Sequence, residues 1–261
     1  MDPLVTEAEV GPGIVRLALN RPAQRNALDP PLIEALTAAV ARHGALARTR
    51  VLLLAATGTA FCAGADLNAM LALGRAPQAE NRADAERLAR LLGALRESPK
   101  PTIACVQGAA FGGGVGLVAA CDIAIASIEA RFRLPEVQLG IMPAVISPYV
   151  VEAIGLRNAR RYFLSAETIT AARARELGLV HEVVAAEALA AIALTLAAEV
   201  AQGGPRALAA AKALLTEVGH VPPGERVGTR TAELLAALRA GSEAQEGIAA
   251  ALARRSPSWR S

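Results

Sequence analysis

Two stretches of this chain place glycines where a backbone can do chemistry. In AAFGGGVGLVAACD, Ala109 to Asp122, Gly112, Gly113 and Gly114 run together and Gly116 follows after one valine. The apolar run TIACVQ (102–107) ends just before them, and the apolar GLVAAC follows with the look of a helix. Glycines at a strand-to-helix turn let a ligand approach the backbone, and the unpaired N–H groups of the first helical turn point at it. Such donors favour a developing negative charge. A tight turn with close packing fits the same glycines, so the stretch alone leaves both uses open. A second loop, TGTAFCAGADL (57–67), has the same design: small residues, with an exposed backbone at Gly64 and Ala65, behind the buried run VLLLAA (51–56). Two such loops can offer one N–H each to a single carbonyl oxygen.

Other chemistries find little support. A phosphate-binding P-loop needs a Lys-Ser or Lys-Thr pair after its last glycine, and none follows here. The dinucleotide fingerprint needs a different glycine spacing, and the acidic residue twenty positions beyond Gly116, Glu136, follows Pro135 in a loop rather than ending a strand. Cys62, Cys105 and Cys121 form no C-x-x-C pair and sit in apolar surroundings, which predicts reduced thiols. His43, His181 and His220 show no ligand spacing, so no metal site is expected. The net charge is +3, carried almost wholly by arginine, since Lys100 and Lys212 are the only lysines. That fits either compositional bias or an arginine-lined mouth for an anion. With 3% aromatics and no basic run between them, nucleic acid is not an expected partner. No apolar run reaches the length of a membrane span, and MDPLVTEAEVGPG is acidic and turn-rich, unlike a secretory signal. A cytoplasmic protein that does not enter membranes is the expectation.

Several elements must position these loops. IVRLAL (14–19), VLLLAA (51–56), TIACVQ (102–107), DIAIA (122–126), RFRL (131–134) and LVHEVV (179–184) read as strands. Asp29 reads as the N-cap of a helix with Pro30 and Pro31 in its first turn and Leu32, Leu36 and Val40 on one face. The polar stretch from Met70 to Ser98 reads as a mobile loop leading into a helix. Strands separated by helices predict an α/β fold with a mainly parallel sheet. After Ser147 helices dominate, and Ser242 with Gln245 fits a capping box for the last of them. A core over residues 1–200 and a helical region over residues 201–261 are expected. The second region cannot bury its leucine stripes alone, so it must pack on the core or on another subunit.

LNRPAQRNALD, AFCAGADL, GAAFGGGVGLVAACDIAIA, PEVQLGI and SEAQEGIAAALARRSPSW, in that order along the chain, resemble the crotonase (enoyl-CoA hydratase/isomerase) superfamily. The resemblance implies a spiral of repeated β-β-α units with a C-terminal helical region that builds trimers, often paired into hexamers. It implies an acyl-CoA thioester as substrate, with coenzyme A part of that substrate and no further cofactor. The thioester oxygen would sit between the backbone N–H groups of Ala65 and Gly113. Around them, Ala27, Ala63, Leu67, Gly112, Gly116 and Pro135 fall at substrate-contacting positions. Arg25 falls where the family sets a basic residue against the CoA phosphates, although a solvated loop arginine is the alternative. Asp66 serves either the adenine pocket or its own loop, and Asn68 stands where many hydratases carry a lysine.

The family's standard hydratases use two glutamates, and this chain matches only one of them. Glu136, after Pro135, is the acid/base that the resemblance implies, and an apolar acyl pocket would raise its pKa. The other position is Gly116. The following MPAVISPYVVEAIG also departs from the usual glycine-rich stretch and looks like a branch with branched or carboxylated substrates, of the methylglutaconyl or isohexenylglutaconyl type. Tyr149 either reaches the acyl pocket or belongs to a helix core. Hydration of a 2-enoyl-CoA is the leading expectation. A 3-enoyl to 2-enoyl isomerase is the first alternative, and a non-catalytic acyl-CoA-binding subunit the second.

Overall fold

Alternating apolar runs and turns resolve into two sheets wrapped by helices. The computed structural model describes residues 2–219, 221, 222 and 224–260. The chain runs β1 (Val5–Gly11), β2 (Ile14–Leu19), α1 (Pro30–Ala45), β3 (Val51–Ala56), α2 (Leu67–Arg75), α3 (Gln78–Glu97), β4 (Thr102–Val106), β5 (Ala109–Phe111), α4 (Gly113–Ala120), β6 (Ile123–Ser127) and β7 (Arg131–Arg133). It continues with α5 (Ser147–Ser165), β8 (Ile169–Thr170), α6 (Ala171–Leu177), β9 (Glu182–Val184), α7 (Leu189–Val200), α8 (Pro205–Val218), α9 (Glu225–Ala240) and α10 (Ser242–Leu252).

The larger sheet has the order β1-β2-β3-β4-β6-β9 and is parallel from β2 onward. Its side chains alternate between two cores, as a period of two requires. Leu17, Leu52, Leu54, Ala104 and Val106 face the main core, while Ile14, Val51, Leu53, Ile103, Cys105 and Ile125 face Leu189, Ala193 and Ala197 of α7. Coverage on both faces is why these strands read as nearly continuous apolar runs.

The smaller sheet shows the spiral. β5 pairs with β7 and β7 with β8, and single bridges extend the ribbon from Leu28 to Ala65 and from Cys62 to Ala110. Each turn therefore runs from the large sheet through a short piece of the ribbon to a helix, as in β4–β5–α4. The four turns place the ribbon pieces side by side, which is how loops far apart in sequence meet. No single helix among the described residues is long and apolar enough to cross a membrane.

Three local expectations are corrected. The N-terminal segment forms β1, whose alternating polar positions gain their meaning only from antiparallel pairing with β2. The stretch expected to begin as a mobile loop at Met70 is helical in α2 and α3, because the Asp66 carboxylate caps α2 and leucines of α3 bury in the core. Ser242 is not the cap of α10, which starts after Gly241 with no side-chain cap. Glu243 instead accepts from Arg206 N and Ala207 N at 2.9 Å each, so it caps α8. The Asp29 cap is as expected, its Oδ1 accepting from Leu32 N at 3.0 Å.

The helical C-terminal region is fastened to its own core. Lys212 Nζ donates to Leu95 O (3.0 Å), Lys100 O (3.3 Å) and Asp122 Oδ2 (2.7 Å), and Asp122 also accepts from Thr102 N at 2.8 Å. The Arg50 guanidinium donates to Ala201 O at 3.1 Å, Trp259 O at 3.3 Å and Gly203 O. Both cations have a fixed set of acceptors, which holds α7 and α8 against the ends of β3 and β4.

Candidate active site

Three segments of the spiral converge on one carboxylate. The loop before α2 is stitched to its neighbours through its backbone. Ala63 N donates to Arg25 O (2.9 Å), Leu28 N to Gly64 O (2.7 Å), Asp66 N to Leu28 O (2.8 Å) and Phe111 N to Cys62 O (2.9 Å). Asn26, fully buried with φ +54°, holds the other side, its Nδ2 donating to Thr57 O and Ala60 O at 2.9 Å each. Gly112 N is taken by Arg133 O at 2.8 Å. Two N–H groups in this network have no acceptor among the described residues. Ala65 N faces away from the Leu28 bridge, and Gly113 N opens α4, so no carbonyl lies a turn behind it.

The glycines permit the close approach. Gly64 has φ +92°, and a Cβ there would lie 2.9 Å from Phe111 O. Gly112 has φ +48°, and a Cβ there would lie 3.0 Å from Glu136 Oε1 and 3.9 Å from Gly64 Cα. A side chain at either position would push the loops apart or displace the carboxylate. Glu136 itself opens a short 3-10 turn, Glu136–Leu139, that follows β7. Its Oε2 is buried with no hydrogen-bond partner among the described residues. Burial raises its pKa above the usual carboxylate range, offset in part by its own backbone N–H.

A cavity of about 1000 Å3 opens over this point. Of the residues expected at the site, Ala63, Ala65, Asp66, Leu67, Gly112, Gly113, Pro135 and Glu136 line it. Arg25, Ala27 and Gly116 do not. Arg25 is exposed in a left-handed turn with φ +51° and serves the site through its carbonyl, while Ala27 is half-buried behind it. No arginine lines the cavity among the described residues. Asp66 Oδ1 accepts from Asn68 N and Ala69 N at 3.0 Å each, which makes it the cap of α2 as well as part of the wall. Tyr149 packs on the main core and does not reach the cavity. His43 Nε2 meets Glu7, His181 Nδ1 accepts from Ala124 N, and His220 lies outside the described residues. The three cysteines are unpaired and buried, and burial pushes each thiol up to about 12.

Gly116 has a specific reason to be glycine. A Cβ there would stand 3.0 Å from Ile146 Cβ and closer still to Ile146 Cγ2, with Leu92 Cδ1 at 3.6 Å. Ile146 is 2% exposed and lines the cavity. The space toward which a side chain at 116 would grow is thus filled by an aliphatic one. Sequence reasoning noted the missing carboxylate and missed its replacement. It also missed the apolar wall made by Met70 and Leu73 of α2, Leu88 of α3 and the segment Leu139–Ile146. The one available signal was the spacing of Asn81, Asp84, Ala85 and Leu88, which is that of a helix face.

Known proteins share this architecture. A solved structure of an enoyl-CoA hydratase from Shewanella pealeana is 39% identical, with a TM-score of 0.94 over 98% of this chain and 96% of that one. An enoyl-CoA hydratase structure from Mycobacterium smegmatis is 30% identical, with a TM-score of 0.92 over the whole of both chains. The fold is therefore that of the crotonase superfamily. The Enoyl-CoA hydratase/isomerase family matches residues 9–261, and the chain belongs to that family. Among curated relatives, the 2,3-dehydroadipyl-CoA hydratase of Escherichia coli (strain K12) is 36% identical over 250 residues, 95% of each chain. The mevalonyl-coenzyme A hydratase sidH of Aspergillus fumigatus is 34% identical over 255 residues, 95% of this chain and 92% of that one.

Proposed function

We propose that this protein reversibly hydrates a 2-enoyl-CoA with Glu136 as its single acid/base. The observation that carries the reading is the Glu136 carboxylate, with one oxygen buried and unpartnered, against the same glycines whose loops expose Ala65 N and Gly113 N. In the forward direction the carboxylate takes a proton from water as the water oxygen bonds to C3. The electron pair of the C2–C3 double bond moves toward the thioester, and the charge collects on its oxygen. Ala65 N–H and Gly113 N–H donate to that oxygen, each worth about 3 kcal/mol of transition-state stabilisation. The new carboxylic acid then gives its proton to C2. Burial raises the pKa of Glu136, the direction that favours its holding the proton between the two halves of this shuttle. The reading needs no metal or redox group. It takes the working form to be a trimer or a pair of trimers, supported by exposed leucines on the C-terminal helices, Leu215, Leu235 and Leu252.

Ile146 favours a second reading. Its side chain stands where a water-orienting carboxylate would be, and a lone base beside an apolar wall suits isomerisation. In that case Glu136 removes a proton from C2 of a 3-enoyl-CoA and returns it to C4. Purified protein offered each ester in turn, with the conjugated thioester absorbance followed, separates the two. Signal lost from the 2-enoyl ester marks hydration, and signal gained from the 3-enoyl ester marks isomerisation. Glu136→Gln is expected to lower kcat by about 10²–10⁴-fold. Full activity in that variant removes Glu136 from the mechanism.

A further inference from the structure

We propose that Asp84 makes the acyl end of the cavity selective for uncharged acyl groups, so that an ester ending in a methyl group is accepted and its ω-carboxylate counterpart is refused. The proposal rests on the acyl-CoA reading of the site. The charged side chains on the cavity wall, among the described residues, are Asp29, Asp66, Asp84 and Glu136, all of them acidic. Three have tasks in the site. Asp29 is paired with Arg21 and caps α1, Asp66 caps α2, and Glu136 abuts Gly112.

Asp84 stands elsewhere. On α3 it lies one turn from Leu88, whose Cδ2 is 4.0 Å from the Cβ position of Gly113. A helical turn advances about 5.4 Å. Asp84 therefore borders the side of the cavity enclosed by α2, α3 and the Leu139–Ile146 segment, where a short acyl chain leaving the thioester is sheltered. Arg87 serves two carboxylates, its Nη1 donating to Asp84 Oδ1 at 3.4 Å and its Nε lying 3.1 Å from Glu34 Oε1, so one cation is shared between two anions and does not itself line the cavity. A terminal carboxylate placed here leaves water and meets a like charge. A methyl terminus meets Met70, Leu73 and Ile146 instead and gains from burial. The selectivity is achieved by repulsion of the wrong ligand as much as by attraction of the right one. It runs against the carboxylated acyl groups suggested by the MPAVISPYVVEAIG resemblance.

Titration calorimetry of the intact protein with hexanoyl-CoA, adipoyl-CoA and free CoA tests this. The saturated esters are not turned over, so the result does not depend on Glu136 chemistry. Hexanoyl-CoA is expected to bind at least about tenfold more tightly than adipoyl-CoA, about 1.4 kcal/mol. Asp84→Asn is expected to narrow that ratio severalfold, which a purely structural role for Asp84 would not do. Equal binding of the two esters, or an unchanged ratio in the variant, overturns the proposal while leaving the acyl-CoA reading in place. Hexanoyl-CoA binding no more tightly than free CoA overturns both.

Discussion

The two ends of the cavity are made from different materials. One end is backbone: Gly64, Ala65, Gly112 and Gly113, held by a mesh of main-chain hydrogen bonds from Arg25, Leu28, Phe111 and Arg133. The other end is side chain: Met70, Leu73, Leu88 and Ile146, from two helices and the segment before a third. At the first end a Cβ added at Gly64 collides with the main chain of Phe111, and one added at Gly112 crowds Glu136. At the second end substitutions alter volume and polarity and leave the main chain in place. The backbone end is therefore suited to chemistry common to many substrates, and the side-chain end to choosing among them.

The largest effect that would break this division is expected at Gly112. Gly112→Ala places a methyl group in a left-handed backbone position and against Glu136 Oε1. It should lower kcat by about 10²–10³-fold, the range seen when one donor of a charge-stabilising pair is lost. A change confined to KM, in steady-state kinetics on the ester that is turned over, would mean that the backbone end only binds.

A smaller effect is expected where the two ends touch. Gly116→Ala forces Ile146 aside and should destabilise by about 1–3 kcal/mol. Ile146→Ala leaves a cavity and should cost about 2–5 kcal/mol. The double variant should recover at least about 1 kcal/mol of the summed loss, because the new methyl group enters the vacated space. Denaturant unfolding of the four proteins measures the coupling, and simple additivity would show that Ile146 does not hold position 116 closed.

The smallest effect concerns pH. The folded protein raises the Glu136 pKa above its ordinary 4.5, so the native state binds this proton more tightly than the unfolded chain does. The resulting stabilisation is present below pH 4.5 and is lost as pH rises through the folded value. Glu136→Gln has no such loss. Its melting temperature should therefore gain on that of the wild type as pH increases across this window, and stay level beyond it. A gap that shrinks with rising pH would place the carboxylate in a stabilising, solvated setting.

Some of this was legible in residue order. Buried parallel strands announce themselves as nearly continuous apolar runs, which is why Ile14–Leu19, broken only by Arg16, and Val51–Ala56 were read with their observed limits. Asp29 followed by two prolines marks a helix start by local chemistry alone. β1 escaped because an edge strand with alternating glutamates looks like a polar loop until its partner is known. A helix was expected toward the end of Met70–Ser98, but α2 and the start of α3 escaped because a half-exposed helical wall is polar on average, and Ser242 misled because Glu243 beside it caps another helix across space.

By itself the sequence determined what is local or carried by backbone freedom: the buried parallel strands of the large sheet, the α1 cap, the two glycine loops, the proline-led Glu136 and the absence of a carboxylate at 116. Those features need only neighbouring residues, or the lack of a Cβ, to have their effect. Tertiary structure alone decided what fills the space over Gly116, which carboxylates face the cavity and which N–H groups are left without acceptors. Each of these depends on segments tens of residues apart, Gly64 with Phe111, Gly112 with Glu136 and Gly116 with Ile146, and the turns of the spiral bring them into contact.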